Sequence, residues 1–237
     1  MQFEAQILGL AHEIFQSMKK PLEAITFESI RRTHGERRKA ISSRLEEFRS
    51  IWKDADDEKL WEEMVFCFFT GGCSAKMGMR AISAVRPHLM TGDHEVIMNA
   101  LVGVHRYPRA RSRYVVQSRE FLIEHCNMQI RHRLDSFSCP HERRDWLVKE
   151  KGIKGLGYKE ASHFLRNIGL SGYAILDKHV LNCLAELKII DDPKPPNTRS
   201  RYLTIESKLK QLASDLEIDF DEMDLVLWSM KTGEILK

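Results

Sequence analysis

The sequence predicts an all-α fold, on three observations. Apolar residues recur at three- and four-residue spacing along most of the 237 positions. Strand-like alternation is scarce. Breakers such as Gly71-Gly72, Pro87, Gly169 and the Pro-rich run at 191–197 separate the periodic segments. An apolar content of 43% is ample for one large domain or two lobes.

The elements follow in order. Leu8, Leu10, Ala11, Ile14 and Phe15 form a first helical stripe. A second helix is predicted over about 26–48, although its Arg-rich middle is a weak helix signal. Trp61, Met64, Val65, Phe68 and Phe69 share one face of a helix that ends at Gly71-Gly72. Ser74 is placed to cap the next helix, which carries Met77, Ala81, Ile82 and Val85 and stops before Pro87. Residues 93–104 and 108–132 read as two more helices. A helix over 140–151 packs through Trp146, Leu147 and Val148. The helix over 158–168 buries Ala161, Phe164, Leu165 and Ile168, with Gly169 as its stop. Residues 177–187 make another. Asp191-Asp192-Pro193-Lys194-Pro195-Pro196-Asn197 is the clearest breaker, and helices over 200–214 and 219–231 follow it. Repeats and low-complexity segments are absent.

Composition narrows the function classes. No run of eighteen apolar residues exists, so no membrane span is expected. Met1-Gln2-Phe3-Glu4-Ala5 lacks the pattern of a secretion signal. Cys67, Cys73, Cys126, Cys139 and Cys183 are odd in number and scattered, which suggests reduced thiols in an intracellular protein. Nothing in the chain demands more than a monomer. Zinc-type spacing and a Gly-rich nucleotide loop are missing, so no metal site is expected. A net charge of +3 does not announce a nucleic-acid binder. Its distribution says more: Arg106, Arg109, Arg111 and Arg113 surround Pro108, and Arg131, Arg133, Arg143 and Arg144 follow. Any one of these reads as a solvated helix surface. Several of them beside a phosphate-binding turn read as contacts to a nucleic-acid backbone, Arg109 among them.

That turn is Ile153-Lys154-Gly155-Leu156-Gly157-Tyr158-Lys159-Glu160-Ala161. Two glycines around one apolar residue open a helix, and their backbone N–H groups face outward at the positive end of its dipole. Gly155 and Gly157 are therefore expected to donate to a phosphate. Lys159 stands in the first turn of the helix, and Asp177 opens the next helix in Ile175-Leu176-Asp177-Lys178-His179-Val180. A phosphate cradle, an amine and a carboxylate together suggest nucleophilic chemistry on a nucleic acid.

The segment resembles the helix-hairpin-helix motif of the endonuclease III superfamily of DNA glycosylases, with the hairpin at 140–169. The run from Gly157 to Gly169 is similar to the second family of 8-oxoguanine DNA glycosylase/AP lyases, known mainly from archaea and some bacteria. So are Gly103-Val104-His105-Arg106-Tyr107-Pro108 and the ending Leu227-Trp228-Ser229-Met230-Lys231-Thr232-Gly233-Glu234-Ile235-Leu236-Lys237. The likeness covers roughly residue 45 to the end. It implies two helical lobes with damaged double-stranded DNA and a flipped base in the cleft between them. One lobe would be 45–176; the other would combine the N-terminal helices, 1–44, with 177–237.

The resemblance also implies roles. The lysine of the bifunctional members falls on Lys159 and their aspartate on Asp177. The C-terminal lysine, here Lys237, reaches back to the base pocket. Trp228 is either core or a stacking wall for the flipped base. His105, Arg106 and Tyr107 lie where family members approach the lesion and the gap it leaves. Iron–sulfur members carry four cysteines after the aspartate; here only Cys183 follows Asp177, so no such cluster is expected. No cofactor is expected beyond a monovalent cation that such hairpins often bind through turn carbonyls, here those of Ile153 and Leu156. Lys154 stands where the family pattern more often has proline, which predicts a less rigid turn. The β-rich N-terminal domain of the eukaryotic 8-oxoguanine enzymes is not recognisable.

Excising a base breaks the N-glycosidic bond at sugar C1′, after the base has left the stack at a cost of about a few kcal/mol. A carboxylate such as Asp177 stabilises the positive charge that develops on the sugar. A neutral amine at Lys159 can attack C1′ and form a Schiff base, and a helix N-terminus with partial burial favours the neutral form of an amine. Asp177 also reads as an N-cap. Glu160 leaves the helix at a different angle from Lys159 and reads as a complement to the dipole. The expected function is a bifunctional glycosylase/AP lyase that removes 8-oxoguanine and then cleaves the strand by β-elimination. Two alternatives stand beside it. An oxidised-pyrimidine glycosylase of the endonuclease III type is opposed by the missing cysteines and the Gly-Glu-Ile-Leu-Lys ending. A non-catalytic DNA-binding hairpin module would leave Lys159 and Asp177 without chemical jobs.

Overall fold

Eleven α-helices make up the computed structural model over the residues it describes, 24–236, and no strand occurs among them. They are α1 (Phe27–Asp54), α2 (Asp57–Thr70), α3 (Ala75–Val85), α4 (His94–Leu101), α5 (Pro108–Cys126), α6 (Ile130–Asp135), α7 (Pro140–Lys149), α8 (Tyr158–Asn167), α9 (Lys178–Glu186), α10 (Arg199–Leu216) and α11 (Phe220–Thr232). The stripe from Leu8 to Phe15 lies outside the described residues. Local chemistry sets most boundaries. Thr26 and Ser29 form a capping box at α1, and Asp56, Ser74, Asp93 and Thr198 each accept a backbone N–H from the first turn they precede. Pro108 and Pro140 occupy the first positions of α5 and α7.

The helix expected over 108–132 is broken in two. Asn127 and Met128 both adopt left-handed conformations, at φ 49 and 60°. The Asn127 N–H bonds back to Ile123 and Met128 N–H to Leu122 (3.0 Å each), which closes the helix end as a C-cap. Asn tolerates this region better than most residues. The short α6 that follows is held by Arg131, whose backbone N–H donates to the Asp57 carboxylate (2.7 Å) and whose guanidinium donates to the Trp52 and Ala55 carbonyls.

Two apolar clusters form. The first gathers Trp61, Phe66, Phe68 and Phe69 of α2 with Val85, Leu101, Val115, Leu122, Leu147 and the inner face of α8. Each large side chain buried there contributes about 1.5–3 kcal/mol. The second holds Ile30, Ile41, Leu45 and Phe48 of α1 with α9, α10 and α11. α1 runs through both: its end carries Ile51 and Trp52 against the first cluster. Its Arg-rich middle is explained by tertiary partners. Arg31 donates to the Asp215 carbonyl (3.0 Å), Arg37 to the Ser229 carbonyl (2.8 Å), and His34 meets Glu222 at 2.6 Å.

The segment between α8 and α9 passes from one cluster to the other. Gly169 (φ 89°) makes the turn, where a Cβ would sit 2.5 Å from the Phe48 carbonyl oxygen. Residues 173–176 are buried and lie outside any helix, so their backbone groups need partners. Side chains of α10 and α11 supply them. Ala174 N–H donates to Glu206 (3.1 Å), Ile175 N–H to Asp224 (3.3 Å), and the Ala174 carbonyl accepts from the Tyr202 hydroxyl (2.7 Å). Glu206 is in turn held by both terminal nitrogens of Arg144, at 2.6 and 2.7 Å. Burial opposes the charge on Arg144, but the Glu206 carboxylate outweighs it and raises the guanidinium pKa. Asp224 is pushed up by burial against the opposing Arg166 charge at 3.9 Å.

His105 fastens the loop before α5. It is buried, with Nε2 at 3.0 Å from the Phe69 carbonyl and Nδ1 at 3.0 Å from the Tyr107 N–H. That pairing selects the neutral ring protonated on Nε2. Burial pushes its pKa below the ordinary value, with Arg111 assisting and the Phe69 carbonyl opposing.

Two predictions follow from these contacts. Replacing Glu206 by Ala leaves a buried guanidinium unpaired and costs about 3–5 kcal/mol in urea unfolding, whereas an Arg144→Met, Glu206→Leu double variant costs less than either single change. Because the folded state disfavours protonated His105, its contribution is fully present above the ordinary histidine pKa of about 6.5 and is lost as pH falls from there through the lower folded value. Stability measured from about pH 8 to about pH 5 should therefore decline less steeply in His105→Gln than in the unsubstituted protein.

Candidate active site

The hairpin consists of α7, a turn over residues 150–157, and α8. Gly155 lies at φ 77°, and a Cβ there would come within 2.6 Å of the Tyr114 ring, so both conformation and space demand glycine. Ile153 and Leu156, whose carbonyls the sequence offers to a cation, turn their side chains into the first cluster. Lys154 donates its N–H to the buried Ser118 hydroxyl of α5 at 2.8 Å. Proline could not make that bond. The turn is thus anchored by the same residue that was expected to loosen it.

Gly157 is the N-cap of α8 and carries no side chain to cover the helix end. The first-turn N–H groups of such a helix have no intrahelical acceptors. Lys159 lies in that turn, with its side chain 26% exposed, and its Nζ sits 3.0 Å from Glu160 Oε1. This corrects the expectation that Glu160 diverges from the lysine and serves only the dipole. Past the first turn α8 is buried on nearly every side, from Ala161 to Asn167. Ser162, His163, Arg166 and Asn167 belong to this buried surface as much as the predicted Ala161, Phe164 and Leu165 do.

Asp177 is the N-cap of α9, as its position predicts. One oxygen, Oδ1, accepts from His179 N–H (2.8 Å) and Val180 N–H (2.9 Å). The carboxylate is half-buried and its direction is set by those bonds. Trp228 of α11 is also half-buried; its ring meets His179, two residues after Asp177, edge-on at 6.5 Å. Tyr202 connects the two halves of the site. Its ring packs at 5.5 Å from Tyr158, beside Lys159, while its hydroxyl holds Ala174, three residues before Asp177.

The arginines divide sharply. Arg144 is 1% exposed inside a cage of Tyr158, Tyr173 and Tyr202 and is committed to Glu206. Arg143 donates to the Leu134 and Phe137 carbonyls, Arg111 to the Gly71 carbonyl, and Arg131 to the end of α1. Arg133 stacks over Phe137 and Trp146. These five serve as internal struts, which corrects their reading as a backbone-binding group. Arg106, Arg109 and Arg113 remain exposed. Arg106 lies over the Tyr107 ring at 5.2 Å, and Tyr107 itself is 40% exposed. His105, by contrast, is buried and has both ring nitrogens engaged. Lys237 lies outside the described residues; the tail before it is drawn towards α3 by a 2.6 Å pair between Lys76 and Glu234.

Sequence reasoning missed Glu206, Tyr202 and Asp224. A signal for Glu206 existed. It sits on the apolar stripe of α10 with Tyr202, Ile205, Leu209, Leu212 and Leu216, where a charge needs a buried partner.

Comparison with known proteins identifies the family. A sequence model described as 8-oxoguanine DNA glycosylase matches residues 41–218. A protein of Korarchaeum cryptofilum named 8-oxoguanine DNA glycosylase/AP lyase is 38% identical over 84% of this chain and 91% of its own. One of the same name from Methanocaldococcus jannaschii is 35% identical over 83% and 91%. The crystal structure of the Methanocaldococcus jannaschii 8-oxoguanine glycosylase/lyase in complex with a 15mer DNA containing 8-oxoguanine superposes with a TM-score of 0.81 and 33% identity, covering 89% of this chain and 99% of that one. The 8-oxoguanine DNA glycosylase of Thermotoga maritima gives 0.80 at 31% identity, over 89% and 98%. With an open hairpin helix, a lysine in its first turn and a capping aspartate on the next helix, the chain belongs to the 8-oxoguanine DNA glycosylase family.

Proposed function

We propose that this protein excises 8-oxoguanine from duplex DNA and cleaves the strand at the resulting site, with Lys159 as nucleophile and Asp177 as the electrostatic partner. The observation that carries this reading is the pairing of an uncapped helix N-terminus bearing Lys159 with a rigidly capped Asp177 on the following helix. The N–H groups around Gly155 and Gly157 hold a backbone phosphate. The two apolar clusters act as lobes, and the flipped base enters between them, with Trp228 as a wall and the C-terminal segment, Lys237 included, contributing to base choice. Arg106 and Tyr107 face the gap in the duplex, on a loop that His105 fixes.

The chemistry requires few groups. The base leaves C1′ with the electron pair of the glycosidic bond, and Asp177 stabilises the charge that develops on the sugar. The Lys159 amine bonds to C1′; loss of a second proton from nitrogen and opening of the C1′–O4′ bond give the Schiff base, with O4′ taking up a proton. Removal of a C2′ proton then expels the 3′ phosphate by β-elimination. The rival substrate, an oxidised pyrimidine, keeps the same steps and is tested beside it.

Borohydride trapping on a duplex with one 8-oxoguanine opposite cytosine should give a covalent adduct, and thymine glycol or undamaged duplexes should not. Lys159→Gln should lose trapping and cleavage while still binding DNA; persistence of either activity would overturn the nucleophile assignment. Asp177→Asn should keep its fold, since Asn is an equally good N-cap, and lose about 100-fold or more in single-turnover excision. For the backbone contacts, Arg109→Ala should weaken binding to all duplexes alike and reduce the slope of log affinity against log salt by about 1.

A further inference from the structure

We propose that Glu160 is the group that takes the proton from Lys159 and so makes the amine nucleophilic; this rests on the reading of Lys159 given above. Side chains one residue apart on a helix leave its axis about 100° apart and do not normally meet. Here they meet at 3.0 Å, within the range that proton transfer needs. The surroundings leave room for the contact. The Glu160 carboxylate lies between two glycines: a Cβ on Gly157 would come within 3.1 Å of Oε2, and one on Gly71 within 3.5 Å of Oε1. Gly71 is the C-cap of α2, and the Arg111 guanidinium donates to its carbonyl. Arg111 also lies 2.9 Å from the same Gly71 Cβ position, so a second cation flanks the carboxylate on the side of α5. The titratable and charged groups around Glu160 are therefore Lys159 on its own helix, and Arg111 with its neighbours Tyr107 and Tyr114 from α5 and the turn before it. Asp177 is less suited to the task, because one of its oxygens is committed to two backbone N–H groups.

The step balances simply. The Lys159 ammonium gives one proton to Glu160 Oε1, which becomes a neutral carboxylic acid. The electron pair of that N–H bond stays on Nζ and forms the bond to C1′, while the pair of the C1′–base bond departs with the base. Glu160, at 16% side-chain exposure, then returns its proton to water. Before DNA binds, the same contact keeps the amine in place.

The test is single-turnover excision of 8-oxoguanine and borohydride trapping by Glu160→Gln, followed from about pH 6 to about pH 9, with Glu160→Asp and Lys159→Gln measured in parallel. Glutamine keeps the size of the side chain and removes the proton acceptor. We expect Glu160→Gln to bind the duplex normally, to lose about 100-fold in excision near neutral pH, and to recover much of that loss as pH rises, with Glu160→Asp intermediate. Unchanged excision at every pH would overturn the proposal. A loss equal at every pH, or one matched by weaker DNA binding, would also overturn it and leave a structural or phosphate-site role. If Glu160→Gln does not fold, the Glu160→Asp profile decides: a rate deficit that shrinks with rising pH supports the proposal, and a flat deficit or none overturns it. Lys159→Gln separates the two levels, since trapping that survives in it removes the nucleophile reading itself.

Discussion

The buried pair between Arg144 and Glu206 is the contact on which the rest of the site depends. It joins a helix of the hairpin to a helix of the second cluster, and Glu206 also takes the Ala174 N–H. Burying two charges costs several kcal/mol each, so such a pair does not gain stability merely by existing. What it provides is position. Arg144 has three tyrosines around it, and two of them, Tyr173 and Tyr202, make further bonds to the backbone of Pro140 and Ala174. The hairpin and the buried segment leading to Asp177 are therefore tied to one polar centre. Losing one partner leaves the other charged and stranded, which couples the placement of Lys159 to that of Asp177.

The two helices that carry Lys159 and Asp177 begin in opposite ways. α9 closes its own N-terminus with Asp177, which spends one oxygen on two N–H groups and gains a fixed direction. α8 starts from Gly157, which has nothing to spend. The positive end of one dipole orients a carboxylate of the protein, and that of the other is open to an anion from outside. Glu160 complicates this division, because its carboxylate already stands near the open end beside Lys159. On the proposed reading, a DNA phosphate approaching Gly157 would meet a site where charge is already balanced, and its arrival would redistribute that balance.

The arginines show why net charge and clustering are weak guides to a binding surface. A guanidinium presents five donors in a planar fork, which suits helix C-termini whose last carbonyls lack partners as well as it suits phosphate. Arg111 at Gly71 and Arg131 at Trp52 and Ala55 use it in the first way. Arg37 adds a second donor to the Ser229 carbonyl, which also accepts from Gly233 N–H at the end of α11. Arg106, just before α5, and Arg109 and Arg113 in its first turns stay in solvent.

Much of the molecule was legible from its sequence alone. Period, caps and punctuation located most of the described helices, because those signals are local: a Ser or Asp bonds the turn that follows it, and Pro or Gly acts where it stands. The Lys159 and Asp177 motif was legible for the same reason, as both sit at helix N-termini within a short segment. The sequence did not reveal the break at Asn127 and Met128, since two consecutive left-handed residues become favourable only when α6 can dock through Arg131 on the end of α1. Nor did it show which arginines face inward, that Lys154 N–H is held by Ser118, or that Glu160 turns towards Lys159. Each depends on how separate elements pack: Ser118 lies on α5 and Lys154 in the hairpin turn, Arg111 reaches the end of α2, and the Glu160 carboxylate lies near Gly71 as well as Gly157. Local propensity determined the helices and the chemical groups they carry; only tertiary packing, which forces every buried polar group to find a partner, decided how those groups meet.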